Sequence, residues 1–379
     1  MHVFIVSIFG QIILNSLLIW LVYLATIQRS PWRKVAIGLS LTELLLFLIF
    51  YCLRGSFSFE MRSHLLVLFN GYYIGLVIFM LYLFLPYLTT FVLQWAKVIK
   101  AGAARRARAI LFLLVAVATT GLCFWGHQNT IHPRVTRYDI EVEYAGEPKE
   151  RKILFVSDTH IGELIGKEQL LKLREVAEAE QPDYILFGGD ILDYSFEYIQ
   201  RDPSITELLK SIRPERSRPI YVMGNHEYYA DTEEKRVWLN SIGTLLTDDV
   251  IQLEDSLYLV TRDDATQKGR LPLSALTQRV PRGAATILLE HQPATTDESL
   301  TEGIHLALHG HTHNGQFIPF SYAVRLRFPF SYGWYQKGKT QYIVSSGFGV
   351  AGATYRIGTH SEVVLIHLKL RQSQSQPTP

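Results

Sequence analysis

The chain is expected to fold as an N-terminal four-helix transmembrane segment followed by an α/β domain, and three observations carry that expectation. The first 127 of its 379 residues hold four long apolar runs, ten Lys/Arg and only two acids, Glu43 and Glu60. The remainder holds 27 Lys/Arg against 33 acids, so a net of +8 is joined to a net of −6 in one chain. Beyond the apolar third, short apolar runs alternate with helical stretches, and five of those runs lead at once into His, Asp or Asn. A chain of this length has room for more than one domain, and the change of composition divides it at about 1–127 and 128–379.

The four runs are Val3–Ile27, Val35–Leu53, Leu65–Trp95 and Ala109–Trp125. Crossing a bilayer takes about 20 apolar residues, with about 17 the lower limit, so three qualify comfortably and the fourth narrowly. Pro86 is expected to kink the third run or end its buried part. The first run lacks the basic flank and small-residue cleavage site of a signal peptide. Arg29, Arg33 and Lys34 lie between runs one and two; Lys97, Lys100, Arg105, Arg106 and Arg108 lie between three and four. Loops rich in Lys and Arg stay in the cytoplasm, which puts the second domain outside it. The middle loop, with Arg54 and Arg62 against Glu60, is weaker in charge, as that topology requires. Glu43 falls mid-span, where an ionised carboxylate is expensive. A hydrogen bond to Gln11, Asn15 or Asn70 accounts for it more simply than a proton or ligand site.

Both cysteines, Cys52 and Cys123, belong to the apolar third, so the second domain has no thiol for a disulfide or a metal. Its acidic balance gives no basic patch for nucleic acid. After a polar connector at 126–150, Ile153–Val156 leads into "SDTH" (Asp158, His160), and a helix is expected around Lys167–Ala179. Tyr184–Phe187 leads into "GGD" (Asp190), and Ile220–Met223 into "GNHE" (Asn225, His226). Thr286–Leu289 leads into "EHQP" (His291), and Ile304–Leu308 into "HGHTHNGQ" (His309, His311, His313). Taken singly each motif has an ordinary explanation, as a helix cap, a turn or a polar strand end. Five such ends in order are another matter, because open α/β sheets bind ligands where the carboxyl ends of their strands meet.

The ordered set D-x-H, GGD, GNHE, H and GHTH resembles the calcineurin-like metallophosphoesterases, most nearly the bacterial branch that joins membrane spans to an external phosphoesterase domain. The likeness covers roughly residues 138–370. It extends to "GHTHNGQ", where Asn314 replaces a glycine usual in that branch, and to "SSGFGV…YRIGTHSEV", where His360 and Ser361 precede the acid in place of a common proline. The resemblance implies a β-sandwich flanked by helices, a four-layer αββα fold. It also implies two divalent metal ions, one on Asp158, His160, Asp190 and His313, the other on Asp190, Asn225, His291 and His311, with Asp190 bridging. A carboxylate has two oxygens and can join two cations, whereas an imidazole offers one lone pair. Nitrogen and oxygen donors without thiolate suit Mn, Fe or Zn alike. His309 is then a bystander, since Gly310 lets the chain turn after the strand.

In the implied mechanism, metals about 3.5–4 Å apart lower the pKa of a water that attacks phosphorus in line, and His226 is the general acid for the leaving oxygen. Asp263 and Asp264 resemble a family turn near the site and are not expected as ligands; Tyr228, Tyr229 and Arg356 are candidate substrate contacts. The function expected is a membrane-tethered phosphoesterase acting on a phosphate ester, foremost a diester at the bilayer surface. The alternatives are a scavenging phosphomonoesterase, and a silent receptor or binding module, which the complete motif set disfavours. Four spans with a single buried acid and no repeat do not read as a transporter.

Overall fold

The computed structural model describes residues 2–26, 30–53, 56–294, 296–352 and 354–373, so Arg29 and Arg54 lie outside the described residues. The chain divides into two compact units, Met1–Gly126 and His127–Pro379.

The first unit is built from α1 (His2–Ala25), α2 (Pro31–Leu53), α3 (Phe59–Trp95) and α4 (Ala101–Ile131), the last running on into the second unit. Three helices, over Pro31–Leu53, Glu60–Trp95 and Ala101–Ile131, are long and apolar enough to cross a membrane; the apolar stretch Phe9–Ala25 of α1 is shorter. These three coincide with the last three apolar runs, and α1, His2–Ala25, holds the first. Pro86 does not end α3, which continues through it to Trp95. α4 outruns its apolar run at both ends; at the N-terminal one the Ala- and Arg-rich flank is itself a good helix former. Some polar contacts inside this unit cross between helices. Asn15 donates to the Glu43 carboxylate at 2.8 Å. The buried Arg108 donates to Leu24 O at 3.1 Å and Gln94 Oε1 at 3.2 Å, drawing the ends of α1 and α3 onto α4.

The second unit opens with β1 (Arg134–Tyr144) and β2 (Lys149–Val156), then α5 (Lys167–Glu180), β3 (Tyr184–Phe187), α6 (Glu197–Arg201) and α7 (Ser204–Ser211). Next come β4 (Ile220–Tyr221), α8 (Thr232–Ile242), β5 (Thr244–Leu245), β6 (Asp249–Glu254) and β7 (Leu257–Thr261). The chain continues through α9 (Leu273–Thr277), β8 (Ala285–Leu289), α10 (Thr296–Thr301), β9 (Leu306–His309) and α11 (Phe320–Arg327). It ends with β10 (Gly333–Lys337), β11 (Thr340–Val344) and β12 (Glu362–Gln372). Two six-stranded sheets result, in the orders β1-β12-β2-β3-β4-β5 and β10-β11-β9-β8-β7-β6.

The polar connector expected at 126–150 holds a strand: β1 pairs in parallel with β12 along its whole length, Arg134 opposite Glu362 through Tyr144 opposite Gln372. Its inward residues Ile140, Val142 and Tyr144 alternate with exposed ones. A one-faced edge strand averages as polar, so a search for continuous apolar runs passes over it.

The central strands are apolar on both faces because both are covered. Ile153 and Phe155 of β2 point into the sandwich with Leu259 and Ile287 of the facing sheet, while Leu154 and Val156 pack under Leu170 and Leu173 of α5 and Trp238 of α8. On the outside of the second sheet Val260, Leu288 and Ala307 meet Leu273 and Leu276 of α9. Helix, sheet, sheet, helix is thus the layer order, each buried large apolar side chain contributing about 1.5–3 kcal/mol. The strands β2, β3, β4, β8 and β9 all deliver their carboxyl ends to one edge of the sandwich.

Candidate metal centre

At that edge the backbone takes an unusual form. Asp158 (φ 55°), His160 (φ 45°), Asp190 (φ 52°), His311 (φ 68°) and His313 (φ 48°) are all in the left-handed region. Non-glycine residues held there cost of order 1 kcal/mol each and persist only where surroundings over-determine them. Here the loops lock one another. Asp158 accepts from His311 N, 3.0 Å from each carboxylate oxygen, and from Ser157 Oγ at 2.6 Å, which ties the loop after β9 to the loop after β2 across the sandwich. Asp190 Oδ1 accepts from His226 N at 2.8 Å. Two glycines make these approaches possible: a Cβ on Gly310 would stand 1.8 Å from Ser157 Oγ, and one on Gly224 would stand 2.2 Å from Asp190 Oδ1. Asn314, in the place of the family's usual glycine, keeps a left-handed φ of 49°, a conformation Asn tolerates.

The expected ligands converge. Asp158, His160 and His313 form one group, and Asp190, His291 and His311 a second, whose ligand atoms in each lie within 4.8 Å of one another. His160 Nε2 and His313 Nε2 face each other at 3.0 Å. Asp190 Oδ2 lies between the groups, 3.2 Å from His291 Nε2 and 3.7 Å from His160 Nε2. Of the atoms expected to ligate, His291 Nε2 and Asn225 Oδ1 are buried with no hydrogen-bond partner among the described residues. His291 gives Nδ1–H to Gly188 O at 2.8 Å, so the neutral, metal-binding form of the ring has its lone pair on Nε2; burial disfavours its charge, but the Asp190 carboxylate beside Nε2 raises its pKa well above the ordinary value. Asn225 Nδ2 donates to Tyr229 Oη at 2.7 Å, which turns its Oδ1 the other way. Buried acceptors left bare are costly, and convergent oxygen and imidazole donors are what a divalent cation takes. The residues fit a metal.

Charge supports the same assignment. Burial works against ionisation of Asp190, but the imidazoles of His291, His160 and His226 outweigh it and hold the carboxyl well below the usual range. Burial, then the neighbouring His160 and Arg356, drives the His313 pKa far down and keeps that ring neutral, the form that ligates. His309 behaves as a bystander. It is wholly buried outside both groups, bonds Glu290 O at 2.8 Å, and burial lowers its pKa to about 4. Asp264 accepts from the Gln292 amide at 3.0 Å and Asp263 from Tyr228 Oη at 2.5 Å, and neither belongs to the two ligand groups.

One expectation fails. Arg356 is not a substrate contact, for it is fully buried. Its Nη2 donates to Ser346 O and Gly349 O at 2.6 Å each and packs 3.2 Å from His313 Nδ1, so it fastens the loop after β11 behind a ligand candidate. Tyr229 remains open to solvent, its ring 4.5 Å from that of His226.

Three residues that motif reading passed over complete the site. Asp193 stands between two histidines, its Oδ1 3.3 Å from His160 Nδ1 and 3.4 Å from His226 Nδ1; its backbone carbonyl also bonds His226 Nδ1. Glu227 is completely buried and accepts four backbone N–H groups, from Asp190, Ile191, Leu192 and Gly224, at 2.8–3.0 Å. Lys235, also buried, donates to Tyr194 O and His226 O at 2.7 and 2.8 Å. The signal for Asp193 was its place three residues after "GGD", and for Glu227 its place inside "GNHE". Asp193→Asn is expected to leave the fold intact and weaken metal affinity about 10–100-fold, the usual cost of losing a carboxylate behind a ligating histidine. Calorimetric titration of the metal-stripped protein with Mn or Zn measures it, and affinity unchanged within threefold would deny Asp193 that role.

Comparison with known proteins identifies the family. The calcineurin-like phosphoesterase family profile matches residues 151–315. An uncharacterized metallophosphoesterase of Helicobacter pylori is 31% identical over 254 residues, which span 65% of this chain and 67% of that one. The chain belongs to the calcineurin-like metallophosphoesterase family. A second metallophosphoesterase, from Campylobacter jejuni, is 30% identical over 69% of this chain and 70% of its own. A bovine transmembrane protein with metallophosphoesterase domain is 25% identical over 94% of this chain and 87% of its own. This metallophosphoesterase is thus a metal-dependent phosphoester hydrolase whose matched segment runs from β2 to the GHTH loop.

Proposed function

We propose that the protein is a membrane-anchored, dinuclear-metal phosphoesterase whose catalytic unit works outside the cytoplasm on a phosphodiester at the bilayer surface. The observation that carries this is the Asp190 carboxylate standing between two groups of imidazole and carboxylate donors. In the proposal Asp158, His160, Asp190 and His313 hold one cation, and Asp190, Asn225, His291 and His311 hold the other. When bound, such a pair supplies Lewis acidity for the ester and a nucleophilic water at neutral pH. The bovine relative, similar along nearly the whole chain, supports a membrane anchor, and the Lys/Arg of the α1–α2 and α3–α4 loops support a cytoplasmic place for those loops.

The remaining roles belong to side chains. His226 is half-buried at the rim, Nδ1 fixed by Asp193 and Nε2 4.0 Å from Asp190 Oδ2. Burial disfavours its charge, but the Asp193 hydrogen bond and the Asp190 carboxylate outweigh burial and raise its pKa to about 9. It therefore keeps a proton at neutral pH to give to the leaving oxygen. Tyr229, exposed against the His226 ring, offers a flat apolar face to the leaving group.

The test is turnover by the full-length protein in detergent, stripped of metal and reloaded with Mn, Fe or Zn, on a nitrophenyl diester and the corresponding monoester. Activity that needs metal and favours the diester is expected. His226→Gln should lower kcat about 10²–10⁴-fold on an alkyl leaving group and far less on nitrophenolate, which departs without a proton. Equal losses on both would reject His226 as the acid. Folded, metal-loaded protein that turns over neither ester would favour a binding module.

A further inference from the structure

The chemistry of α11 and its approaches does not match a surface helix of an acidic soluble domain. Nine large apolar side chains are exposed among the described residues of the second unit, and four of them, Ile318 (40%), Phe320 (56%), Tyr322 (61%) and Leu326 (89%), fall within nine residues. An amphipathic helix normally turns such residues inward, yet here the small Ser321 is the buried one. The charge is equally local. Residues 316–339 carry Arg325, Arg327, Lys337 and Lys339 and no acid, in a domain whose net charge is −6. Arg325 and Arg327 lie exposed against the rings of Tyr322 and Phe328. Aromatic and leucine side chains flanked by arginine, without carboxylates, are the composition of a bilayer interface.

Position supplies an independent argument. The last turn of α4, within the second unit, is fastened to the loop 354–361: Asn129 Nδ2 donates to Arg356 O at 3.0 Å and Ser361 Oγ to Thr130 O at 2.9 Å. The same loop holds the base of α11, with Ile318 N on Ile357 O at 3.0 Å and Thr359 Oγ1 on Gln316 O at 2.6 Å. One short loop therefore joins α11 to the end of the apolar helix that anchors the domain. At its other side α11 follows directly on the GHTH turn, and Phe328 sets its ring 5.6 Å from that of His311.

We infer that α11 is a second membrane contact. Ile318, Phe320, Tyr322 and Leu326 enter the interface of the leaflet that α4 leaves, Arg325 and Arg327 pair with lipid phosphates, and the metal centre is held at the level of the headgroups. The inference rests on the anchored-phosphoesterase proposal for its use and deepens it: the substrate is an amphiphile reached in the plane of the bilayer. Its geometry does not depend on turnover.

The test uses the full chain in phosphatidylcholine nanodiscs with and without phosphatidylglycerol, Cys52 and Cys123 replaced by Ser. A nitroxide is placed at Leu326→Cys, at Val237→Cys as the aqueous reference (71% exposed on α8), or at Leu113→Cys as the lipid reference (65% exposed on α4). Position 326 is expected to be shielded from a nickel chelate and open to oxygen, as 113 is, more so with phosphatidylglycerol. Chelate access equal to that at 237 overturns the inference. So does spin–spin broadening that disappears on dilution with unlabelled chain, since a second copy would then cover the face. Phe320→Asp with Leu326→Asp should match the wild type on a soluble diester and lose about tenfold on an ester embedded in vesicles; equal rates on both would overturn it. If the wild type hydrolyses nothing, the phosphoesterase proposal fails while the nitroxide result still decides the docking.

Discussion

Asp190→Asn is expected to abolish turnover, by about a thousandfold or more in kcat, while leaving the protein folded. Asn is the informative substitution because it tolerates the left-handed φ of 52° at this position. It can also keep the hydrogen bond that Asp190 Oδ1 accepts from His226 N. What it loses is the negative charge and the second anionic oxygen between the His160 and His291 sides of the centre. A neutral amide cannot join two cations, so the metal content measured by mass spectrometry should fall from two per chain to one or none. Activity retained within tenfold would mean that the two donor groups act separately and that the shared-ligand proposal is wrong. A lost second ion with most activity kept would make the site mononuclear. The same chain supplies its own control. Asp264 is as completely buried and lies in the turn after β7, but its carboxylate is taken by the Gln292 amide. Asp264→Asn should leave metal content unchanged.

The features that sequence carried best were the strand ends. Residues such as Phe187 and Leu289 sit in runs buried on both faces, so their hydrophobicity is continuous and their termination by Asp190 and His291 is abrupt. Chemistry that must reach a shared edge has to be written at those terminations, which is why seven scattered polar residues could be read as one set. Where burial is one-faced the signal faded, as in β1, whose inward Ile140 and Val142 alternate with exposed Glu141 and Glu143. Arg356 misled for a different reason. A lone arginine normally marks solvent, and nothing in its neighbours announces that four carbonyl groups, of His313, Ser346, Gly347 and Gly349, will surround its guanidinium. Such support is a property of the closed structure. Glu227 was in view within a quoted motif and Asp193 three residues beyond another, but their partners are backbone N–H groups and the second nitrogens of histidines, which a motif does not display.

That hidden support is where the other large effect is expected. Five ligand candidates occupy left-handed backbone, a conformation that relaxes unless hydrogen bonds hold it. Glu227 is the hub. One buried carboxylate gathers N–H groups from Asp190, Ile191 and Leu192 after β3 and from Gly224 after β4, so two loops of the centre share one acceptor. Burial, then the charge of Asp190, pushes the Glu227 pKa up; the N–H groups of Leu192 and Gly224 and the Lys235 ammonium pull the other way. Glu227→Gln keeps the shape and removes the charge. One of its two positions then becomes a donor, facing N–H groups it cannot satisfy, and the buried Lys235 loses the foremost of the carboxylates that offset its burial. Breaking a buried arrangement of this kind costs about 3–5 kcal/mol, or roughly 10 °C in Tm for a domain of this size. Thermal unfolding of the full-length protein in detergent measures it, and a shift below about 3 °C would show that the four N–H groups find other acceptors. The metal-binding consequence separates this role from mere bulk stability. At temperatures where the variant is still folded, slackened loops should leave Asp190 and Asn225 out of register and lower metal affinity, whereas Trp238→Phe on α8, which packs into the helix-covered core, should lower Tm without moving affinity.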